Sequence, residues 1–161
     1  MMNMTFSDQK KLIFSIFICL FAGFIGSSFT TPAITNWYAM LQKPSFAPPN
    51  WVFFPVWTAL FIMMGISLFL VWQKGLEDKK VKTAIYIFVA QLVLNILWSV
   101  AFFGLRSPIL GLVEIIILWI AILATILTFK KLSKTAAYLL IPYILWVSYA
   151  AFLNFLIWRL N

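Results

Sequence analysis

Long apolar runs alternate with short polar breaks along this chain. Five runs stand out: Leu12 to about Pro32, Trp51 to Trp72, Thr83 to Leu105, Pro108 to Phe129 and Ala136 to Trp158. At about 1.5 Å per helical residue, each reaches slightly beyond the roughly 30 Å of bilayer hydrocarbon, so each predicts one membrane-spanning helix with modest tilt. Stretches such as Ile115-Ile116-Ile117-Leu118 argue against barrel strands, in which polar and apolar residues take turns. The expected fold is therefore all-α: a single five-transmembrane-helix bundle over residues 1–161, with spans near 12–32, 51–72, 83–105, 108–129 and 136–158. The first run, behind Lys10 and Lys11, also opens as a signal peptide does. Its length and the lack of a small-residue cleavage site favour a span.

The breaks are unequal. Three are short, whereas the first, before Trp51, contains Trp37-Tyr38-Ala39-Met40-Leu41-Gln42-Lys43-Pro44-Ser45-Phe46-Ala47-Pro48-Pro49-Asn50. Its three prolines restrict the backbone to extended and turn conformations, which predicts a rigid aromatic cap over one end of the bundle.

Composition supports the membrane reading. Apolar residues make up 64% and charged residues 10% of the chain, against roughly 45–50% and 25% in a soluble domain. The net charge of +8 would suit a nucleic-acid partner in a soluble protein, but here the charges lie between apolar runs and act as topology signals. Lys10, Lys11, Lys74, Lys79, Lys80, Lys82, Lys130, Lys131 and Lys134 fall on one side, and Lys43, Arg106 and Arg159 on the other. Positive loops stay cytoplasmic, so the N-terminus is expected inside and the C-terminus outside.

Histidine is absent and Cys19 is the single cysteine. That removes His-based acid/base chemistry, His-ligated zinc or haem, disulfides and Cys-cluster metal sites, and no bound metal is expected. The strongly polar residues inside the spans are Gln91, Asn95, Glu114 and Asn154, each costly in hydrocarbon unless it faces protein or a cavity. For Glu114 two readings stand, a helix-packing carboxyl or a proton-relay or ligand-contact group. Asn95 and Asn154 are open between interhelical glue and ligand contact.

Spacing gathers some of these residues. Asn95, Trp98 and Phe102 share one face of the third span, Trp146, Ala150 and Leu153 one face of the fifth, and Trp57, Phe61 and Met64 one face of the second. Trp37, Tyr38, Trp51, Trp72 and Trp158 lie near span ends, where interfacial aromatics collect. Trp57, Trp98, Trp119 and Trp146 lie deeper, where an indole offers a stacking face and an N–H that needs an acceptor. Such tryptophans beside asparagines suit a flat, mostly apolar ligand with a few polar edges.

The run Trp37-Tyr38-x-x-Leu41-x-Lys43-Pro44-x-Phe46-x-Pro48-Pro49-x-Trp51-x-Phe53-x-Pro55-Val56-Trp57 resembles the first loop and second helix of the TspO family of tryptophan-rich sensory and translocator proteins, related to the peripheral benzodiazepine receptor. Leu94-Asn95-x-x-Trp98-Ser99 with Phe102-Phe103-Gly104, and Pro142-Tyr143-x-x-Trp146-Val147 with Ala150 and Leu153-Asn154, extend the resemblance over most of the chain. It implies a five-helix bundle, usually a homodimer, that binds porphyrins such as protoporphyrin IX as ligand, with no covalent cofactor, beneath the first loop. Carried over, the ligand-binding residues are Tyr38, Pro48, Trp51, Trp57, Asn95, Trp98, Trp146, Ala150 and Leu153. Some bacterial relatives are reported to degrade protoporphyrin in light, which would make Trp57 and Trp146 the catalytic pair. Two departures are visible: Ile96 stands where some relatives carry a polar ligand contact, and Leu153-Asn154-Phe155-Leu156-Ile157-Trp158-Arg159 lacks the central tyrosine of the animal sterol motif.

The function expected is an integral membrane tetrapyrrole-binding protein, a receptor acting as sensor, regulator or carrier in the lipid bilayer. Alternatives are a light- and oxygen-dependent porphyrin-degrading enzyme and a small proton-coupled transporter using Glu114. Without histidine, metal-free protoporphyrin is favoured over a metalloporphyrin, with its propionates at the loop end near Lys43.

Overall fold

Thr5 starts the first helix: its hydroxyl accepts from the Asp8 amide while the Asp8 carboxylate accepts from the Thr5 amide, a reciprocal cap. The computed structural model describes residues 5–161, so residues 1–4 of the expected domain lie outside the described residues. Helix α1 runs over Phe6–Ile34 and continues through Pro32 near its end. A single helical turn, α2 (Trp37–Met40), follows, then the proline-rich segment and a 3-10 turn at Asn50–Val52. α3 (Phe53–Trp72) is followed by a turn at Gly75, whose φ of 97° suits a residue without Cβ. Asp78 caps α4 (Lys79–Ser99), and Ser107 with Pro108 opens α5 (Pro108–Lys130). Ser133 caps α6 (Lys134–Leu139), and α7 (Ile141–Leu160) completes the chain.

Among the described residues, five helical segments are long and apolar enough to cross a membrane: Phe6–Ile34, Asn50–Trp72, Lys79–Gly104, Pro108–Lys130 and Lys134–Leu160. The expected all-α five-helix fold is what forms, with three differences in detail. The first helix begins at Phe6, six residues before the Leu12 boundary expected from hydropathy, because capping carries it into polar sequence. The fifth span is two helices meeting at Leu140, where Pro142 occupies the first turn of α7 and has no amide hydrogen to give. The third span ends in a π-helical turn, Val100–Gly104, closed by the Leu105 amide donating to the Val100 carbonyl at 2.7 Å. The consecutive side chains Phe102 and Phe103 are both buried at this turn.

The helices form a closed ring: α1 packs on α3 and α4, α4 on α5, α5 on α7, and α6 returns to α3. Glycines permit the closest approaches. A Cβ at Gly65 would lie 2.5 Å from the Ile16 Cα, and one at Gly111 would lie 2.7 Å from the Phe102 ring. The α1–α3 seam is therefore tight at Gly65, deep in the bundle. Toward the first loop the same two helices separate around a cavity.

Candidate ligand cavity

The cavity has a volume of about 370 Å³ and lies between α1, α3 and α4. Trp57 and Phe61 of α3 line it together with Trp98 of α4 and Phe103 of the π-helical turn, and α1 supplies Gly23, Phe24, Gly26, Ser27, Thr30 and Thr31. Gly23 is needed beside Phe61, whose ring would come within 2.6 Å of a Cβ there. The Trp57 and Trp98 rings lie 6.4 Å apart at 32°, and Trp98 also stacks on Phe102 at 5.6 Å. This aromatic wall continues under the loop, where Tyr38 meets Phe53, Phe102 and Phe103 at 6.3, 6.3 and 5.8 Å. Two of the lining residues, Phe24 and Phe54, are 67% and 79% exposed on opposite sides of the α1–α3 seam. The cavity thus opens sideways, at the loop end.

None of its lining residues is charged. Three of its hydroxyls already donate to their own helices, Ser27 to the Phe24 carbonyl at 2.7 Å, Thr30 to Gly26 at 3.2 Å and Thr58 to Phe54 at 2.8 Å. What they have left to offer a ligand is oxygen lone pairs. At the inner end, Asn95 donates its side-chain N–H to the Tyr143 hydroxyl at 2.8 Å, and that hydroxyl donates to Gln91 Oε1 at 2.9 Å. All three side chains are buried.

Of the expected ligand-binding residues, Trp57, Asn95 and Trp98 come together in this cavity. Tyr38 is buried in the aromatic layer above it, its hydroxyl enclosed without a hydrogen-bond partner among the described residues. Pro48 is half-buried in the loop, and Trp51 is 73% exposed beside it. Trp146 lines a different, shallow groove with Val56, Leu60, Pro142, Leu145 and Tyr149, on the α3–α7 side. Ala150 is half-buried, Leu153 is buried in the core, and neither lines the cavity.

Other polar residues have structural partners. Asn154 accepts from the Trp98 indole N–H at 3.3 Å and donates to the Pro108 carbonyl at 2.7 Å, so it joins α7 to α4 and α5. Trp119 donates to Ser148 at 2.8 Å, joining α5 to α7. The Lys43 ammonium donates to the Tyr38 and Leu41 carbonyls at 2.7 and 3.1 Å and lies 4.7 Å from the Tyr38 ring centroid. It folds the start of the loop back on itself, and it is not among the residues that line the cavity. Both Glu114 carboxyl oxygens are enclosed without a hydrogen-bond partner among the described residues.

The α1 wall was missing from the sequence reading, although Gly23, Gly26 and Ser27 marked that helix as rich in small residues. Small side chains are what leave the cavity open.

Residues 15–159 match the TspO/MBR family. The chain is 49% identical to the tryptophan-rich protein TspO of Chlorobaculum tepidum, over 93% of this chain and 95% of that one. It is 47% identical to the protein of the same name from Archaeoglobus fulgidus, over 94% of this chain and 97% of that one. The human translocator protein is 39% identical over 86% of this chain and 82% of its own. With five membrane-length helices in one bundle and a match that runs from the first span into the last, the chain belongs to the TspO/MBR family and is an integral membrane protein.

Proposed function

We propose that this protein binds a metal-free tetrapyrrole of the protoporphyrin IX class in the α1–α3–α4 cavity, as a membrane sensor, regulator or carrier. One observation carries the reading: an uncharged cavity walled by Trp57, Trp98, Phe61 and Phe103 that opens sideways at the loop end. Aromatic walls suit the faces of a flat macrocycle. The sideways opening suits its carboxylates, which can remain at the membrane interface while the ring enters. A macrocycle of this size would fill the cavity and extend into its mouth. In this reading the N-terminus is cytoplasmic, the cavity mouth and C-terminus face outward, the protein resides in the bacterial cell membrane, and it works as a homodimer.

Titrating purified protein with protoporphyrin IX and following tryptophan quenching tests the reading. Loss of the Trp57 side chain from the wall should weaken binding about thirtyfold, as expected for a buried aromatic anchor, whereas Lys134→Ala, on the far end, should leave it unchanged. Equal affinity in all three proteins would overturn the assignment.

A second reading, proton-coupled transport, has one observation behind it: the enclosed carboxyl of Glu114, which has no hydrogen-bond partner among the described residues. Proton-driven porphyrin uptake into vesicles that is lost in Glu114→Gln would establish it. Uptake that ignores a proton gradient would remove it.

A further inference from the structure

The chain of buried polar groups behind the cavity has a direction, and Met64 sets it. Gln91 Nε2 lies 3.9 Å from the Met64 sulfur. A thioether has lone pairs and no hydrogen to donate, so it takes the N–H side of the Gln91 amide. The Gln91 oxygen is then turned to the Tyr143 hydroxyl, 2.9 Å away, and accepts its proton. A phenol has one proton to give, so Tyr143 can only accept from Asn95, and the amide nitrogen of Asn95 is the atom 2.8 Å from it. The remaining end of the Asn95 side chain is its carbonyl oxygen, which accepts no hydrogen bond from the described residues. Asn95 lines the cavity.

We infer that Tyr143 and Gln91 are positioning residues that hold Asn95 with its carbonyl oxygen toward the cavity, so that the site selects a flat aromatic ligand bearing an N–H or O–H donor at that edge. The inference rests on the reading that this cavity seats a flat aromatic ligand. Of the five wall hydroxyls, those of Ser27, Thr30 and Thr58 are already committed as donors, whereas those of Thr31 and Ser99 remain free to donate, so the preference rests on the Asn95 edge alone. A ligand acceptor placed against the Asn95 oxygen would set lone pairs against lone pairs and leave both groups unpaired.

Carbazole and 9-fluorenone are probes of nearly equal size and shape, one with an N–H and the other with a carbonyl at the same edge. In the full-length protein in detergent, carbazole should bind about tenfold more tightly, the usual consequence of one buried hydrogen bond made against one left unmade. In Gln91→Leu the Tyr143 proton loses its acceptor and turns to the Asn95 oxygen, so the amide reverses and presents its NH₂ group. The preference should then invert toward 9-fluorenone. Tyr143→Phe leaves Asn95 unpinned, and the two probes should bind within about twofold of each other. A merely structural role for either residue would weaken both probes together, and unchanged helicity by circular dichroism identifies folded variants.

No preference in the wild type, no binding of either probe, or a preference that survives in both variants overturns the inference. Its fate is separable from that of the tetrapyrrole reading. Protoporphyrin that displaces no carbazole, while the inversion is seen, would remove the tetrapyrrole and leave the polarity relay intact.

Discussion

The Trp98 indole and the Asn154 amide, residues of different helices, meet at 3.3 Å, and the same asparagine reaches the Pro108 carbonyl at 2.7 Å. One side chain on α7 therefore fixes both a cavity tryptophan and the start of α5. Gly111 makes room for it, since a Cβ there would lie 3.0 Å from the Asn154 oxygen.

The bond should be measurable as a coupling. Asn154→Leu strands the Trp98 N–H and the Pro108 carbonyl, and should cost about 1–3 kcal/mol of stability in detergent. Trp98→Phe removes the donor alone, and in the Asn154→Leu background it should cost less than in the wild type. The difference should lie near 0.6–1.7 kcal/mol, the range for interhelical hydrogen bonds in membrane proteins. Additive losses in reversible unfolding would mean that the pair contributes nothing.

Trp57 and Trp146 occupy different places, one on the cavity wall and the other on the α3–α7 groove. If bound protoporphyrin is degraded in light, an electron donor must lie close to it, so the two residues should behave differently. Under illumination at saturating porphyrin, Trp57→Phe should bind within a few-fold of wild type yet form much less of the defined product seen by mass spectrometry. Trp146→Phe should retain both. The reverse pattern would move the ligand to the groove.

The nine-to-three split of cations between the two ends of the bundle predicts a fixed orientation. Cysteines placed at Ser45 and Glu77, in a Cys19→Ala background, lie in loops at opposite ends. An impermeant thiol reagent added to intact cells should label Ser45→Cys and spare Glu77→Cys. Labelling of Glu77→Cys alone would invert the orientation.

How much of this was legible in the sequence depends on which physical signal each residue carries. Trp57, Asn95 and Trp98 were legible because helical spacing places a tryptophan and an amide on inward faces. The α1 wall was not, because a helix that is apolar all round gives no amphipathic direction, and Ser27 and Thr30 satisfy their hydroxyls on their own backbone. Trp146 shares a face with Ala150 and Leu153, as the spacing predicts, but spacing within one helix cannot name the helix opposite. Phe102 and Phe103 are both buried at a π-helical turn, a local widening that no hydropathy pattern marks. The polarity of Asn95 depends on Met64 and Gln91, on two other turns of the bundle, and no local pattern encodes it.

Tyr38 offers the sharpest separation of loop stability from binding. Its ring is packed among Phe53, Phe102 and Phe103, while its hydroxyl is enclosed with no partner among the described residues and does not reach the cavity. Removing that hydroxyl relieves an unsatisfied buried group and keeps the ring, so Tyr38→Phe should gain roughly 1 kcal/mol of stability and bind protoporphyrin as the wild type does. The pH dependence gives an independent reading. Burial, with a smaller contribution from Tyr149, pushes the phenol from its ordinary 10 up to about 12. The folded protein holds this proton more tightly than the unfolded chain, so the contribution is fully present below pH 10 and is lost as pH rises through 12. Phenylalanine has no proton to lose, and the advantage of Tyr38→Phe over wild type should therefore widen across that interval. A constant difference between the two unfolding curves, or weakened porphyrin binding in the variant, would place the hydroxyl in contact with water or ligand instead.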